Sequence, residues 1–224
     1  NQPTVVFSSS IAVYGPDPGL AMPVVVDEDT LPAPQTSYGT HKLMCEYLIA
    51  DYTRKGFIDG RSARLMTVAV RPGKPNGAAS SFFSGIIREP LAGVEAVCPV
   101  DPSTAHPIAS PQSTVLSLVG LMTAPRDVLK RRLAVTLPAV NVTVAQMLDA
   151  LERVAGPAVR ARVRFEHDAR LAGIVANWPR AAKATTATDV LGFPGDASFD
   201  AIIQQYIDDM RLAGQTATAL KGLA

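Results

Sequence analysis

At 224 residues, 47% hydrophobic and 18% charged, the chain can bury a substantial core in one or two domains. A net charge of +1 supplies no electrostatic case for a nucleic-acid or membrane-surface partner. No apolar run reaches the roughly 18 residues of a membrane span, and residues 1–7 have neither the basic start nor the apolar centre of a secretion signal.

Residues 4–9 form a continuous run rich in β-branched and aromatic types, which predicts a strand buried on both faces of a parallel sheet. It ends in Ser8-Ser9-Ser10. Residues 14–34, rich in Pro, Gly and Asp and without a period, predict a long loop beside that strand end. From 40 to 55 the apolar residues Leu43, Met44, Tyr47, Leu48 and Tyr52 recur at helical spacing, and Gly56 supplies a stop. The next strand is predicted at 64–71, halted by Pro72-Gly73. Strand, helix, strand is a βαβ crossover and means a parallel sheet with a right-handed connection. The loop 73–80 then falls at the carboxyl end of that strand, where open α/β sheets bind ligands.

Further on, 82–91 predicts a helix and 94–100 a short strand leading into a Pro-rich loop at 101–111. Residues 113–123 predict an apolar helix and 133–137 a strand. Thr143 and Gln146 form a capping box that opens another helix, which Gly156 ends. A strand is predicted at 163–166 and tail helices around 187–191 and 199–212; no internal repeat is visible. The expected fold is α/β: residues 1–73 belong to a doubly wound, Rossmann-type parallel sheet, to which 111–125 return. Residues 74–110 and 126–224 build a smaller mixed substrate-binding region and the C-terminal helices.

The chemistry is concentrated in three places. Tyr38 and Lys42 stand four apart on the predicted helix and so share a face. A phenol alone keeps its proton to near pH 10. A positive charge roughly 5 Å away, at an effective dielectric of about 20, favours the phenolate by about 3 kcal/mol, or about two pKa units. That brings general acid–base work within reach of neutral pH. A serine hydroxyl from the strand end, Ser10, can then hold a substrate oxygen, so the trio reads as a site for alcohol–ketone chemistry. Cys45 and Cys98 lie outside any CxxC or Cys/His context and read as reduced thiols of a cytoplasmic protein. His41, His106 and His167 have no metal-ligand spacing, so no metal is expected. Trp178 reads as core, His41 as structural or surface, and Arg88 as a cation for its helix's C-terminal dipole.

The block Ser-Ser-Ser-Ile-Ala-Val-Tyr-Gly at 8–15, Tyr-Gly-Thr-His-Lys at 38–42 and Val-Arg-Pro at 70–72 occur in an order that resembles the extended short-chain dehydrogenase/reductase superfamily, the NAD-dependent epimerase/dehydratase group. A nearer likeness, to the D-erythronate dehydrogenases, is carried by 38–60, 71–80, Phe82-Phe83 and 88–91. The resemblance implies that Ser10, Tyr38 and Lys42 are catalytic, with Tyr38 and Lys42 also contacting NAD, Lys42 by holding its ribose. It implies that Pro72 and Gly73 pack on the nicotinamide end through their backbones. Ser8 and Ser9 are further cofactor-contact candidates, one of them turned inward as a small packing residue. Lys74 stands where nucleotide-sugar enzymes of the group carry Asn, and a cation there suits a carboxylate. Asn76 and Ser80 share that loop and complete the substrate candidates with Ser10, Tyr38 and Lys74.

The implied activity is NAD-dependent oxidation of a small sugar acid at its 2-hydroxyl, in a homodimer built on the Tyr/Lys helix. A nucleotide-sugar epimerase or dehydratase and a non-catalytic NAD-binding scaffold are the alternatives. The sequence departs from the group's pattern in three ways. The Gly-rich turn for the pyrophosphate and the acidic residue for the adenosine ribose are absent, so the chain reads as the C-terminal two-thirds of such an enzyme. Around His106 the residues are Ala105, Pro107 and Ile108, with Gln112 where Arg is usual. The tail after Ala213 carries no readable feature.

Overall fold

The strand expected at residues 4–9 forms but is not buried on both faces: Ser9 is enclosed, Val5, Val6 and Phe7 are half-buried, and Thr4 and Ser8 are exposed. The computed structural model describes residues 2–130 and 132–223. In chain order come β1 (Thr4–Ser10), β2 (Val25–Val26), α1 (Ser37–Arg54), β3 (Asp59–Leu65), β4 (Thr67–Val68), α2 (Ser81–Leu91), β5 (Ala96–Cys98) and β6 (Ala105–Ala109). They are followed by α3 (Pro111–Thr123), α4 (Arg126–Leu129), β7 (Val135–Thr136), β8 (Val140–Thr143), α5 (Val144–Ala155), α6 (Pro157–Arg160), β9 (Val163–Phe165), α7 (Ala169–Val175), β10 (Ala181–Ala182) and α8 (Phe199–Leu212).

β1 and β3 run parallel from Thr4↔Asp59 to Ser10↔Leu65, and β7 joins β3 through Ala63↔Val135 and Arg64↔Thr136. Successive side chains of a strand face opposite ways. Val6 and Ala63 pack with Leu118 and Leu121 of α3, whereas Ser9 and Arg64 meet Glu46 of α1. Helices on both faces of a parallel sheet give the doubly wound α/β arrangement that the pattern predicts.

The strand predicted at 64–71 is displaced: pairing with β1 starts at Asp59 and ends at Leu65. Its polar residues are buried, which a hydrophobic count misses. Arg61 is neutralised by Asp59 and Arg64 by Glu46, each at 2.7 Å. The apolar run 65–70 instead carries the chain into a second sheet, where β4 pairs parallel with β6 and β6 pairs antiparallel with β8. Residues 101–111, expected as a loop, therefore contain a strand. Pro107 has no N–H for a ladder and argues locally against one, yet the neighbouring side chains of His106 and Ile108 are fully buried and hold β6 in place.

α2, α5 and α8 close over a separate core with β5 and β6, in which Ile86, Ile87, Met147, Leu148, Ile202 and Ile203 are buried. The capping box of α5 forms: Thr143 Oγ1 accepts from the Gln146 amide at 3.2 Å, and the Gln146 side chain accepts from the Thr143 amide at 2.8 Å. Among the described residues no helix is long and apolar enough to cross a membrane.

Candidate active site

The site begins where β1 ends. Ser10 is extended, and its hydroxyl oxygen accepts the Ala12 N–H at 3.1 Å, capping a single turn at Ile11–Val13. That leaves the hydroxyl proton to be donated elsewhere. The turn brings the Ala12 carbonyl against the first turn of α1, where the Thr36 side chain accepts from the Gly39 amide at 3.1 Å. Only glycine fits there, because a Cβ on Gly39 would lie 2.1 Å from the Ala12 oxygen. This contact places Tyr38 and Lys42 beside the serine strand.

Lys42 Nζ donates to the Ser8 carbonyl at 2.6 Å. It lies 5.5 Å from the centroid of the Tyr38 ring and 4.9 Å from that of Phe7. An ammonium carries three donors, so two remain after the Ser8 bond. Tyr38 itself is 56% exposed, open to a substrate.

Behind these residues runs a buried polar chain. Ser9 Oγ donates to Glu46, one helical turn beyond Lys42. Arg64 grips Glu46 with two bonds, at 3.0 Å from Nε and 2.7 Å from Nη2, and donates to the Tyr14 hydroxyl at 2.5 Å. Tyr14 donates in turn to the Asp27 carbonyl, which fastens the long loop. Burial pushes the Tyr14 phenol up against the opposing pull of Arg64. Burial alone would lower the Arg64 pKa; its bonds to Glu46 and Tyr14 outweigh that and raise it.

A cavity of about 620 Å³ opens at the carboxyl ends of β1 and β3. Ser8, Ser9, Ser10, Tyr38, Lys42 and Ser80 all line it. Pro72, Gly73, Lys74 and Asn76 do not; all four are exposed. The Asn76 side chain accepts from the Ala78 amide at 3.0 Å, a turn-forming role, and Asn76 lines a neighbouring hollow with Glu89 and Glu95.

Thr67, Arg71, His106 and Trp178 also line the cavity and were not singled out from the sequence as site residues. Trp178 was expected in the core; it packs against the core and faces the cavity as well. His106 is wholly enclosed: its ring stacks on Phe83 at 5.2 Å between centroids and tilts against Trp178 at 5.4 Å. Burial lowers its pKa to about 4, despite the opposing Pro179 carbonyl, so the imidazole is neutral at pH 7. Among the described residues, those lining the cavity include two cations, Lys42 and Arg71, and no carboxylate. Among the described residues no group of three or more His, Cys, Asp or Glu is arranged to hold a metal ion. Cys45 and Cys98 are unpaired, Cys98 buried and Cys45 half-buried.

Residues 1–102 match the model of the NAD dependent epimerase/dehydratase family. The chain is 51% identical to a D-erythronate dehydrogenase of Cupriavidus necator over 95% of its own length and 64% of the other's. It is 44% identical to a D-erythronate dehydrogenase of Haemophilus influenzae, over 93% of its own length and 65% of that protein's. Among solved structures, a nucleoside-diphosphate-sugar epimerase from Agrobacterium tumefaciens superposes with a TM-score of 0.88 at 42% identity, covering 95% of this chain and 60% of that one. The chain thus spans a little under two thirds of the length of these relatives.

Proposed function

Residues 1–102 place the chain in the NAD dependent epimerase/dehydratase family, and on that premise we propose that the protein oxidises a small hydroxy acid of the erythronate type with NAD. The observation that carries this reading is one cavity lined by Ser10, Tyr38 and Lys42, with two cations and no carboxylate. Such a lining attracts an anionic substrate and repels no part of it.

In this reading Ser10 donates its free hydroxyl proton to the substrate's reacting oxygen and fixes its direction. Tyr38, in its phenolate form, takes the proton of the substrate hydroxyl as general base. Lys42 supplies the positive charge beside that phenolate and is itself held still by the Ser8 carbonyl. The residues present fit the nicotinamide end of a dinucleotide. The cavity sits at the strand ends where such ligands bind, and the two remaining Lys42 donors suit ribose hydroxyls. Ser8 and Ser9 are the further candidates to meet it; Pro72 and Gly73, which lie outside the cavity, would meet it through their backbones only with the chain after Arg71 folded inward. Bound cofactor would supply the hydride acceptor.

Lys74 and Asn76 stay outside the cavity, so a substrate contact from either needs the 73–80 loop to fold inward. The exposed apolar side chains Met44, Tyr47, Leu48 and Tyr52 on α1 support a homodimer through this helix. Two unpaired thiols accord with a reducing, cytoplasmic setting.

The test is a panel of sugar acids and nucleotide sugars given to the full-length protein with NAD, followed by cofactor absorbance. Turnover of D-erythronate supports the reading. Turnover of nucleotide sugars alone assigns the protein to the epimerase or dehydratase class. Cofactor binding without turnover of either assigns it to the scaffold class.

A further inference from the structure

Among the described residues, Arg71 is the one cavity cation that the proton-transfer trio leaves unused. Its backbone is fastened on both sides: the amide donates to Ser84 Oγ at 3.1 Å, and the carbonyl accepts from Arg88 at 2.8 Å. The residue lines the cavity, and among the described residues no carboxylate stands within ion-pair distance of it. The neighbouring Arg88 and Arg64 differ, since each is matched to a glutamate, at 2.5 Å and 2.7 Å respectively. A half-buried guanidinium left without an acid, in a cavity whose lining has none, is arranged for an anion from outside. A guanidinium also presents paired donors that match a carboxylate with two bonds, which an ammonium cannot do.

Thr67 stands four residues before Arg71 on the same passage between the sheets, and its hydroxyl has a defined polarity. His106 Nδ1 faces the Pro179 carbonyl at 2.9 Å. A carbonyl only accepts, so Nδ1 carries the ring proton and Nε2 is bare. Nε2 lies 2.8 Å from Thr67 Oγ1. Thr67 must therefore donate its proton to His106, which leaves its oxygen lone pairs as acceptors on the cavity wall. His106 acts through Thr67 as a positioning residue and does not itself need to touch substrate.

We propose that Arg71 binds the carboxylate of the substrate and that Thr67, oriented by His106, accepts a hydrogen bond from a hydroxyl that is not oxidised. The site thereby selects polyhydroxylated acids over simple hydroxy acids and over neutral polyols. This assignment rests on the hydroxy-acid reading given above, and it gives Arg71 the anion-binding part that the sequence suggested for Lys74.

The experiment compares Arg71→Gln and Thr67→Val with the parent, each as full-length protein with NAD, on D-erythronate, its uncharged primary amide and 2-hydroxybutanoate. Arg71→Gln is expected to lower kcat/KM for D-erythronate about a hundredfold, mainly through KM, and to change the amide less than about threefold. Arg71→Lys is expected to recover part of the loss, keeping charge without the paired geometry. Thr67→Val is expected to lower kcat/KM for D-erythronate about tenfold and to leave 2-hydroxybutanoate nearly unchanged. Equal losses on acid and amide, or an unchanged D-erythronate KM in Arg71→Gln, overturn the Arg71 assignment while the parent's activity still stands. Equal losses on both acids in Thr67→Val overturn the Thr67 assignment. A parent that oxidises no sugar acid overturns the underlying reading, and that result is visible before any variant is made.

Discussion

The Lys42 ammonium donates a 2.6 Å hydrogen bond to the Ser8 carbonyl, tying the helix that bears Tyr38 to the strand that bears Ser10. One side chain thus sets both the charge beside the phenol and the spacing of the trio. Lys42→Met keeps the length of the stem and removes both effects. The expected result is a fall in kcat of about a hundredfold or more, with thermal stability changed little because the bond is exposed. Retention of most of the activity in Lys42→Met would show that the charge is not needed.

Glu46 lies one turn beyond Lys42 and is 3% exposed, gripped by Arg64, which is 5% exposed. A buried pair contributes little net stability compared with apolar packing, but stripping one partner leaves an uncompensated charge. Glu46→Ala should therefore cost about 3–5 kcal/mol in urea unfolding. A loss below about 1 kcal/mol, the range of a surface ion pair, would mean that water reaches Arg64.

Gly39 tests the close approach of α1 to the turn after Ser10. In an open helix, alanine for glycine gains about 1 kcal/mol. Here the added carbon would sit 2.1 Å from the Ala12 oxygen and 3.1 Å from Pro34. The clash wins: Gly39→Ala should destabilise by about 1–3 kcal/mol and lower kcat by separating Tyr38 from Ser10. A stabilised, fully active Gly39→Ala protein would show that the two segments are free to move apart.

His106 makes stability depend on pH with a defined sign. Its pKa in the fold is about 4, below the ordinary 6.5. As pH falls below 6.5 the unfolded chain therefore takes up the proton first. The stability is full above that pH and is lost progressively toward pH 4. By pH 4.5 the loss attributable to this group is about 2–3 kcal/mol. His106→Gln cannot titrate there, so its unfolding free energy should fall by that much less than the parent's between pH 7 and pH 4.5. Parallel curves for the two proteins would place His106 in contact with water.

Much of this was legible in the residues, for local reasons. β1 and α1 declare themselves through an apolar run and through apolar residues at helical spacing, although Met44, Tyr47, Leu48 and Tyr52 of that spacing are exposed. Ser10, Tyr38 and Lys42 lie at their ends, within a stretch that one crossover folds together. What stayed hidden depends on distant partners. The burial of Arg61 and Arg64 in β3 makes sense only once Asp59, Leu121 and Glu46 are in place, so the strand was expected several residues late. β6 was hidden by Pro107 and becomes a strand only by pairing with β4 and β8. Thr67 and Arg71, His106, and Trp178 come from three separate segments and meet at the cavity through the packing of α2 and the residues after α7. No spacing in the chain announces that meeting. Lys74 drew attention because it stands where nucleotide-sugar enzymes of the group carry Asn, whereas Arg71, three residues earlier, lines the cavity with Lys42.

The most direct measurement is of Tyr38→Phe in the full-length protein, taking kcat for D-erythronate and, separately, the affinity for NAD. The substitution removes one oxygen from a side chain already exposed, so the fold and the cofactor contacts should persist. The account predicts a fall in kcat of at least about a hundredfold with NAD affinity within about threefold of the parent's. A Phe variant that oxidises D-erythronate at the parental rate would contradict it.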